Sequence, residues 1–162
     1  MRKFEKISLN QFMKDTKLTE KEYNKIIIPK RATQNSAGYE FHILNDIILK
    51  PDEIIKIPTG IKAQMNKGEV LMIYIRSSLG FKYNLRLCNG TGIIDSDYYN
   101  NQDNEGHIFI KIQNEGKETL NLKANDRFAQ GIFIKYLTAD DETKINNVRQ
   151  GGMGSTNQRR NK

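Results

Sequence analysis

Asp95 and Asp97 stand one residue apart in "NGTGIIDSDYYN" (residues 89–100), directly after Ile93 and Ile94 and directly before Tyr98 and Tyr99. A carboxylate of ordinary pKa is ionised at neutral pH, so it can orient a water molecule or take its proton. Four other breaks between apolar stretches collect groups of complementary chemistry. "RATQNSAGYEF" sets Ala37 and Gly38 before Glu40, and "IRSSLGFKYNL" carries Arg76, Ser77 and Ser78. "NDRFAQG" carries Asp126, Arg127 and Gln130, and "RQGGMGST" carries Arg149 and Ser155. An Arg beside hydroxyls and free amides is a receptor for phosphoryl oxygens, and successive Gly and Ser amides can form an anion-binding concavity. Each segment taken singly also reads as a polar turn, with its acids facing water and its Arg paired.

The elements that must position these groups are short strands. After Lys25 the chain runs in brief apolar stretches broken by Gly, Pro, Asn and Asp, among them "EIIKIPTGIKAQM", "EVLMIYI" and "RFAQGIFIKYL". In "HIFIKIQN" strict alternation puts Ile108, Ile110 and Ile112 on one face. Strands of this length with frequent turn signals indicate an all-β sandwich or barrel. Helical pattern is confined to "SLNQFMKDTKLTEKEYNK", where Ser8 is placed to cap one short helix and Thr19 with Glu22 to form the capping box of a second. Beyond Leu137, "TADDETKINNVRQGGMGSTNQRRNK" has too few apolar residues to offset its ordering entropy and is expected to be an arm.

Composition narrows the class. A chain of 162 residues suits one domain with a real core, and its net charge of +7 implies anionic company. No apolar run has membrane-spanning length and the first residues lack the apolar centre of a secretory signal, so no membrane partner is expected. Cys88 is the sole cysteine, which excludes an internal disulfide and fits a cytoplasmic location. With only His42, His107 and Cys88 as soft donors, a metal here would be held by oxygen. Tyr74, Tyr83, Tyr99 and Tyr136 are scattered rather than grouped as a stacking platform, so no specific nucleic-acid partner is expected.

Taken in order, "AGYEF" (37–41), "RSSLGFK" (76–82), "NGTGIIDSDYY" (89–99), "RFAQGIF" (127–133) and "RQGGMGST" (149–156) resemble the five motifs of the trimeric deoxyuridine triphosphatase (dUTPase) family. The resemblance covers roughly residues 26–156 and is most specific at the "GIIDSDY" core of the third motif. It implies a distorted jelly-roll or β-clip barrel; joined to the helical pattern and the composition shift, this gives a β domain over residues 1–137 with a short helical extension at 1–25, and a Gly-rich arm at 138–162. The implied activity is hydrolysis of dUTP to dUMP and pyrophosphate by water attacking the α-phosphorus, in a homotrimer whose sites are shared between chains. Asp95 takes the position of the carboxylate that orients and deprotonates the water. Arg76, Ser77 and Ser78 take those that hold α- and β-phosphate oxygens, with Gln130 near the α-phosphate. Asn89, Gly92 and Ile94 belong to the hairpin that accepts uracil, and Tyr98 to the wall that meets the sugar. Arg149, Gly154, Ser155 and Thr156 match the arm that closes over the γ-phosphate, with Met153 above the base. Magnesium is implied as the cofactor, held mainly by the triphosphate and waters, with Glu40 reaching it through water.

The chain departs from the family pattern at several points. Glu40 stands where Asp is commoner, Met153 where an aromatic usually stacks on the base, and Asn157 where Gly commonly follows. "NNQDNEG" (100–106) lengthens the turn after Tyr99. Two other functions compete. A dCTP deaminase shares the fold and an "RSSL" element, but its third motif lacks "IDSDY" and uses a Glu. A dUTPase-like binding module would contact a regulatory protein through residues 100–106 or the N-terminal helices.

Overall fold

The computed structural model describes residues 1–143, 145, 146, 149 and 151–153. Twelve short strands dominate it, as the alternating patterns predict. The largest sheet has five antiparallel strands, in the order β2 (Lys30–Arg31), β3 (Tyr39–His42), β12 (Arg127–Lys135), β7 (Glu69–Ile75) and β9 (Gly92–Asp95). A second sheet sets β10 (Phe109–Asn114) between β5 (Ile54–Pro58) and β8 (Leu85–Leu87). The pair β4 (Ile47–Leu49) with β11 (Leu120–Leu122) and the pair β1 (Lys3–Lys6) with β6 (Ile61–Gln64) complete the framework. The alternation in "HIFIKIQN" holds: Ile108, Ile110 and Ile112 are all buried, and they meet Phe41, Leu71 and Phe128 in one core.

The N-terminal caps form as their local chemistry requires. Ser8 Oγ accepts from Gln11 N at 3.1 Å and opens α1 (Leu9–Asp15). Thr19 and Glu22 close a reciprocal capping box on α2 (Glu20–Asn24). Periodicity did not disclose β1, whose four residues "KFEK" are too short and too polar to signal a strand. Its Phe4 nevertheless packs in an aromatic group with Tyr39, Phe41 and Phe133, which ties the extension to the large sheet. Residues 76–78 also differ from their reading as a polar turn between apolar stretches. Ser77–Tyr83 form a short helix, α3, closed by Asn84 in the left-handed region at φ 54°.

His107 joins the extension to the strand framework. Its Nε2 accepts from Gly60 N at 2.9 Å, so Nδ1 carries the proton and donates to Asp15 Oδ2 at 2.8 Å. The ring is fully buried, and burial lowers its pKa from the ordinary value of 6.5 despite the Asp15 carboxylate. The native state therefore takes up a proton less readily than the unfolded chain. Stability is intact above about pH 6.5 and is lost progressively as pH falls through the unfolded imidazole pKa toward the folded one. His42, also lowered by burial, adds in the same direction. The melting temperature should fall between about pH 7 and about pH 5, and His107→Gln should flatten that fall. An unchanged acid slope in the variant would remove His107 from the account.

Candidate functional site

Both ends of one strand carry site residues. At the C-terminal end of β7, cross-strand pairing places Tyr74 opposite Gln130, and Gln130 opposite Glu40. Arg76 follows directly and is anchored by its own amide, which donates to Phe128 O at 3.0 Å. Glu40 is nearly buried and holds two guanidinium groups, with Arg76 Nε at 3.1 Å and Arg127 Nη1 at 2.8 Å. Sequence reasoning set Glu40 within a water's reach of magnesium. In this structure its carboxylate oxygens face Arg76 and Arg127, and these ion pairs aim the Arg76 side chain. Ser77 and Ser78 open the first turn of α3, whose N-terminus has no side-chain cap, so first-turn amides next to Arg76 are left for another acceptor. Gly38 closes this corner because a Cβ there would lie 2.2 Å from Gln130 Oε1.

The other end of β7 carries the acids. β9 pairs antiparallel with it, Ile73 opposite Gly92 and Val70 opposite Asp95. Gly92 is needed for packing, since a Cβ there would sit 3.0 Å from the Ile73 Cβ. Both isoleucines line a cleft: Ile94 is partly buried and also packs against the core, while Ile93 is 54% exposed. A short 3-10 turn, Ser96–Tyr98, carries the chain away from Asp95 and folds the Tyr98 ring inward.

The cleft beside β9 has a volume of about 440 Å³, in the range of small-molecule sites. Asn89, Gly92, Ile93, Ile94, Asp95 and Tyr98 line it together with Arg149, Gly152 and Met153. Arg149 pairs with Asp95 through Nη2 and with Asp97 through Nε at 2.6 Å, and its guanidinium lies 6.0 Å from the Tyr98 ring centre. The Asp95 side chain remains 47% exposed. Met153 is 75% exposed at the rim, so it can cover a flat apolar group entering the cleft. The arm residues Gly154, Ser155 and Thr156 lie outside the described residues.

The structure thus brings the predicted site residues together in two groups rather than one. Asp95, Asn89, Gly92, Ile94, Tyr98, Arg149 and Met153 share the cleft, whereas Glu40, Arg76, Ser77, Ser78 and Gln130 gather at the far end of β7. Arg76 lies six residue steps beyond Val70, the partner of Asp95, which at strand spacing is about 20 Å. Sequence reasoning missed the backing of Tyr98 by residues 101–107. Its only local signal was the density of Asn in "NNQDNEG", a residue type that bonds nearby backbone. It also named His107 only as one of three soft donors, whereas the ring is buried and bonded on both nitrogens.

An all-β domain with an acid-bearing cleft on one strand pair and an Arg–Ser corner on another defines a nucleotide-handling β protein, and comparison with known proteins makes the class specific. The dUTPase family model matches residues 24–157. A deoxyuridine 5′-triphosphate nucleotidohydrolase of Lactococcus lactis is 48% identical over 132 residues, covering 81% of this chain and 88% of that protein. The dUTPase of Streptococcus mutans superposes with a TM-score of 0.68 at 39% identity, covering 85% of this chain and 98% of that one. A mutant dUTPase from phage phi11 of S. aureus, described for its structural Mg(II) ion, superposes with a TM-score of 0.66 at 17% identity and covers 91% of this chain and 97% of that one. The chain belongs to the dUTPase family. Among the described residues no helix is long and apolar enough to cross a membrane.

Proposed function

We propose that the chain hydrolyses dUTP to dUMP and pyrophosphate by water attack at the α-phosphorus. The observation that carries this reading is Asp95: an exposed carboxylate at the mouth of a nucleoside-sized cleft, on a strand whose Gly92, Ile93 and Ile94 line the same cleft and carry no other charge. Peptide N–H and C=O groups of the Asn89–Ile94 hairpin can pair with the acceptor–donor–acceptor edge of uracil, which leaves a cytosine edge unpaired. Tyr98 walls the sugar. Its hydroxyl is engaged within the protein and burial raises its pKa, so the ring stays neutral and fixed. Asp95 accepts the proton of the attacking water, while Arg76 with the Ser77 and Ser78 amides and hydroxyls stabilises charge on the phosphoryl oxygens. Arg149 is held by Asp95 and Asp97 in this structure, and an incoming triphosphate offers it a competing anion.

Magnesium fits this site in one manner. Among the described residues no three His, Cys, Asp or Glu side chains gather as a ligand set. The donors on offer are hard carboxylates, which suits an ion held by triphosphate oxygens and water. When bound, such an ion neutralises charge on the triphosphate. We further propose that a second copy of this chain completes each site, and that the working form is a homotrimer. The support is the separation of about 20 Å along β7, since Asp95 and Arg76 must both reach one α-phosphate region and a single chain keeps them apart.

The test is pyrophosphate release from dUTP, dCTP, dTTP and UTP, each with and without magnesium. Release is expected from dUTP with magnesium and at background level in the other seven conditions. Ammonia from dCTP would replace this reading with the deaminase alternative.

A further inference from the structure

The loop that lengthens the turn after Tyr99 is bonded to the ring that walls the cleft. The Tyr98 hydroxyl donates to His107 O at 2.9 Å and accepts from Asn104 Nδ2 at 2.7 Å. Asn104 cannot turn its amide over, because its Oδ1 accepts from Asn101 Nδ2 at 2.9 Å and from Gly106 N at 3.1 Å. Both functions of the phenol are therefore used, by partners that are themselves fixed. The loop in turn is tied to the N-terminal extension. Glu105 receives Ser8 N at 2.9 Å and Ser8 Oγ at 2.6 Å, and His107 donates to Asp15 at 2.8 Å. The arm also lies against the ring, where a Cβ on Gly152 would come within 2.4 Å of it.

We propose that Asn104 is a positioning residue for Tyr98, through which residues 100–107 and the N-terminal extension set the selection of deoxyribose over ribose. This rests on the proposed dUTP hydrolysis. Rejecting one additional hydroxyl by exclusion requires a wall that does not retreat, and apolar contact alone discriminates such small groups weakly. The hydrogen bonds from Asn104 and to His107 O stop the ring from moving back into the loop, so the space beside the sugar stays closed to a 2′-hydroxyl. Loss of the Asn104 amide lets the ring retreat and admits UTP.

Asn104→Ala should leave kcat for dUTP within about threefold while raising kcat/KM for UTP, so that the dUTP-to-UTP ratio falls about tenfold. Tyr98→Phe keeps the loop sequence intact and should lower the ratio by a similar factor. Combining the two substitutions should lower the ratio no further than Tyr98→Phe alone, because Tyr98→Phe already removes the Asn104 bond along with the bond to His107 O. A merely structural role for Asn104 would lower activity on both nucleotides equally and leave the ratio unchanged, which overturns the inference. Should Asn104→Ala fail to fold, an unchanged ratio in Tyr98→Phe overturns it equally. Wild-type protein that releases no pyrophosphate from dUTP sinks the parent reading, and this inference with it.

Discussion

Asp95→Asn is expected to reduce kcat for pyrophosphate release from dUTP by about 10²–10⁴-fold while nucleotide binding stays within about tenfold of wild type. The amide has nearly the shape of the carboxylate but cannot accept a proton from the attacking water. The cleft should survive the substitution, since the Asp95 backbone is held by pairing to Val70 and its side chain carries no part of the core. Arg149 keeps its bond to Asp97, so the arm retains one of its two anchors. Single-turnover measurement separates the steps: the chemical step collapses and the dissociation constant of a nonhydrolysable dUTP analogue does not. Unchanged turnover would remove Asp95 from the role of base, and lost analogue binding would make it a binding residue.

A mixture of two inactive chains should regain activity. Arg76→Ala removes the phosphate anchor and Asp95→Asn removes the base, and each homogeneous protein should be nearly dead. If every site takes Arg76 from one chain and Asp95 from another, random mixing in equal amounts leaves both residues intact in one half times one half of the sites. Recovery of about a quarter of wild-type activity after denaturing and refolding the mixture together is then expected. Sites contained within one chain would recover nothing. The geometry behind the expectation is the opposite placement of the two residues on β7, with Val70 pairing to Asp95 at one end and Arg76 leaving the other. Glu40→Gln should mimic part of the Arg76 loss, because its ion pairs to Arg76 and Arg127 aim the guanidinium that meets phosphate.

Much of this protein was legible in its residues because the deciding interactions are short in sequence. The caps at Ser8 and Thr19 act over three residues, and both formed. Alternation in "HIFIKIQN" depends only on the two-residue period of a strand, and the three isoleucines are buried as the pattern requires. Resemblance of five ordered motifs indicated the family, which the comparisons then showed. The same logic explains the failures. β1 joins Lys3 to Gln64 and has no local signature, since an isolated "KFEK" gains its stability only from the partner strand and from the aromatic group around Phe4. The helix at Ser77–Tyr83 was read as a break because its polar start resembles a turn until Asn84 closes it.

Chain order alone determined which groups exist for chemistry: the acids at 95 and 97, the Arg–Ser corner at 76–78 and the Gly-rich arm. Tertiary structure decided their company. It set Glu40 between two arginines, Arg149 on the acids, and Asn104 beneath the Tyr98 hydroxyl. It also joined Asp15 to His107 across 92 residues of chain. Such contacts are chosen by strand order and register, which depend on burying apolar faces throughout the chain at once, so no local pattern of residue types can announce them.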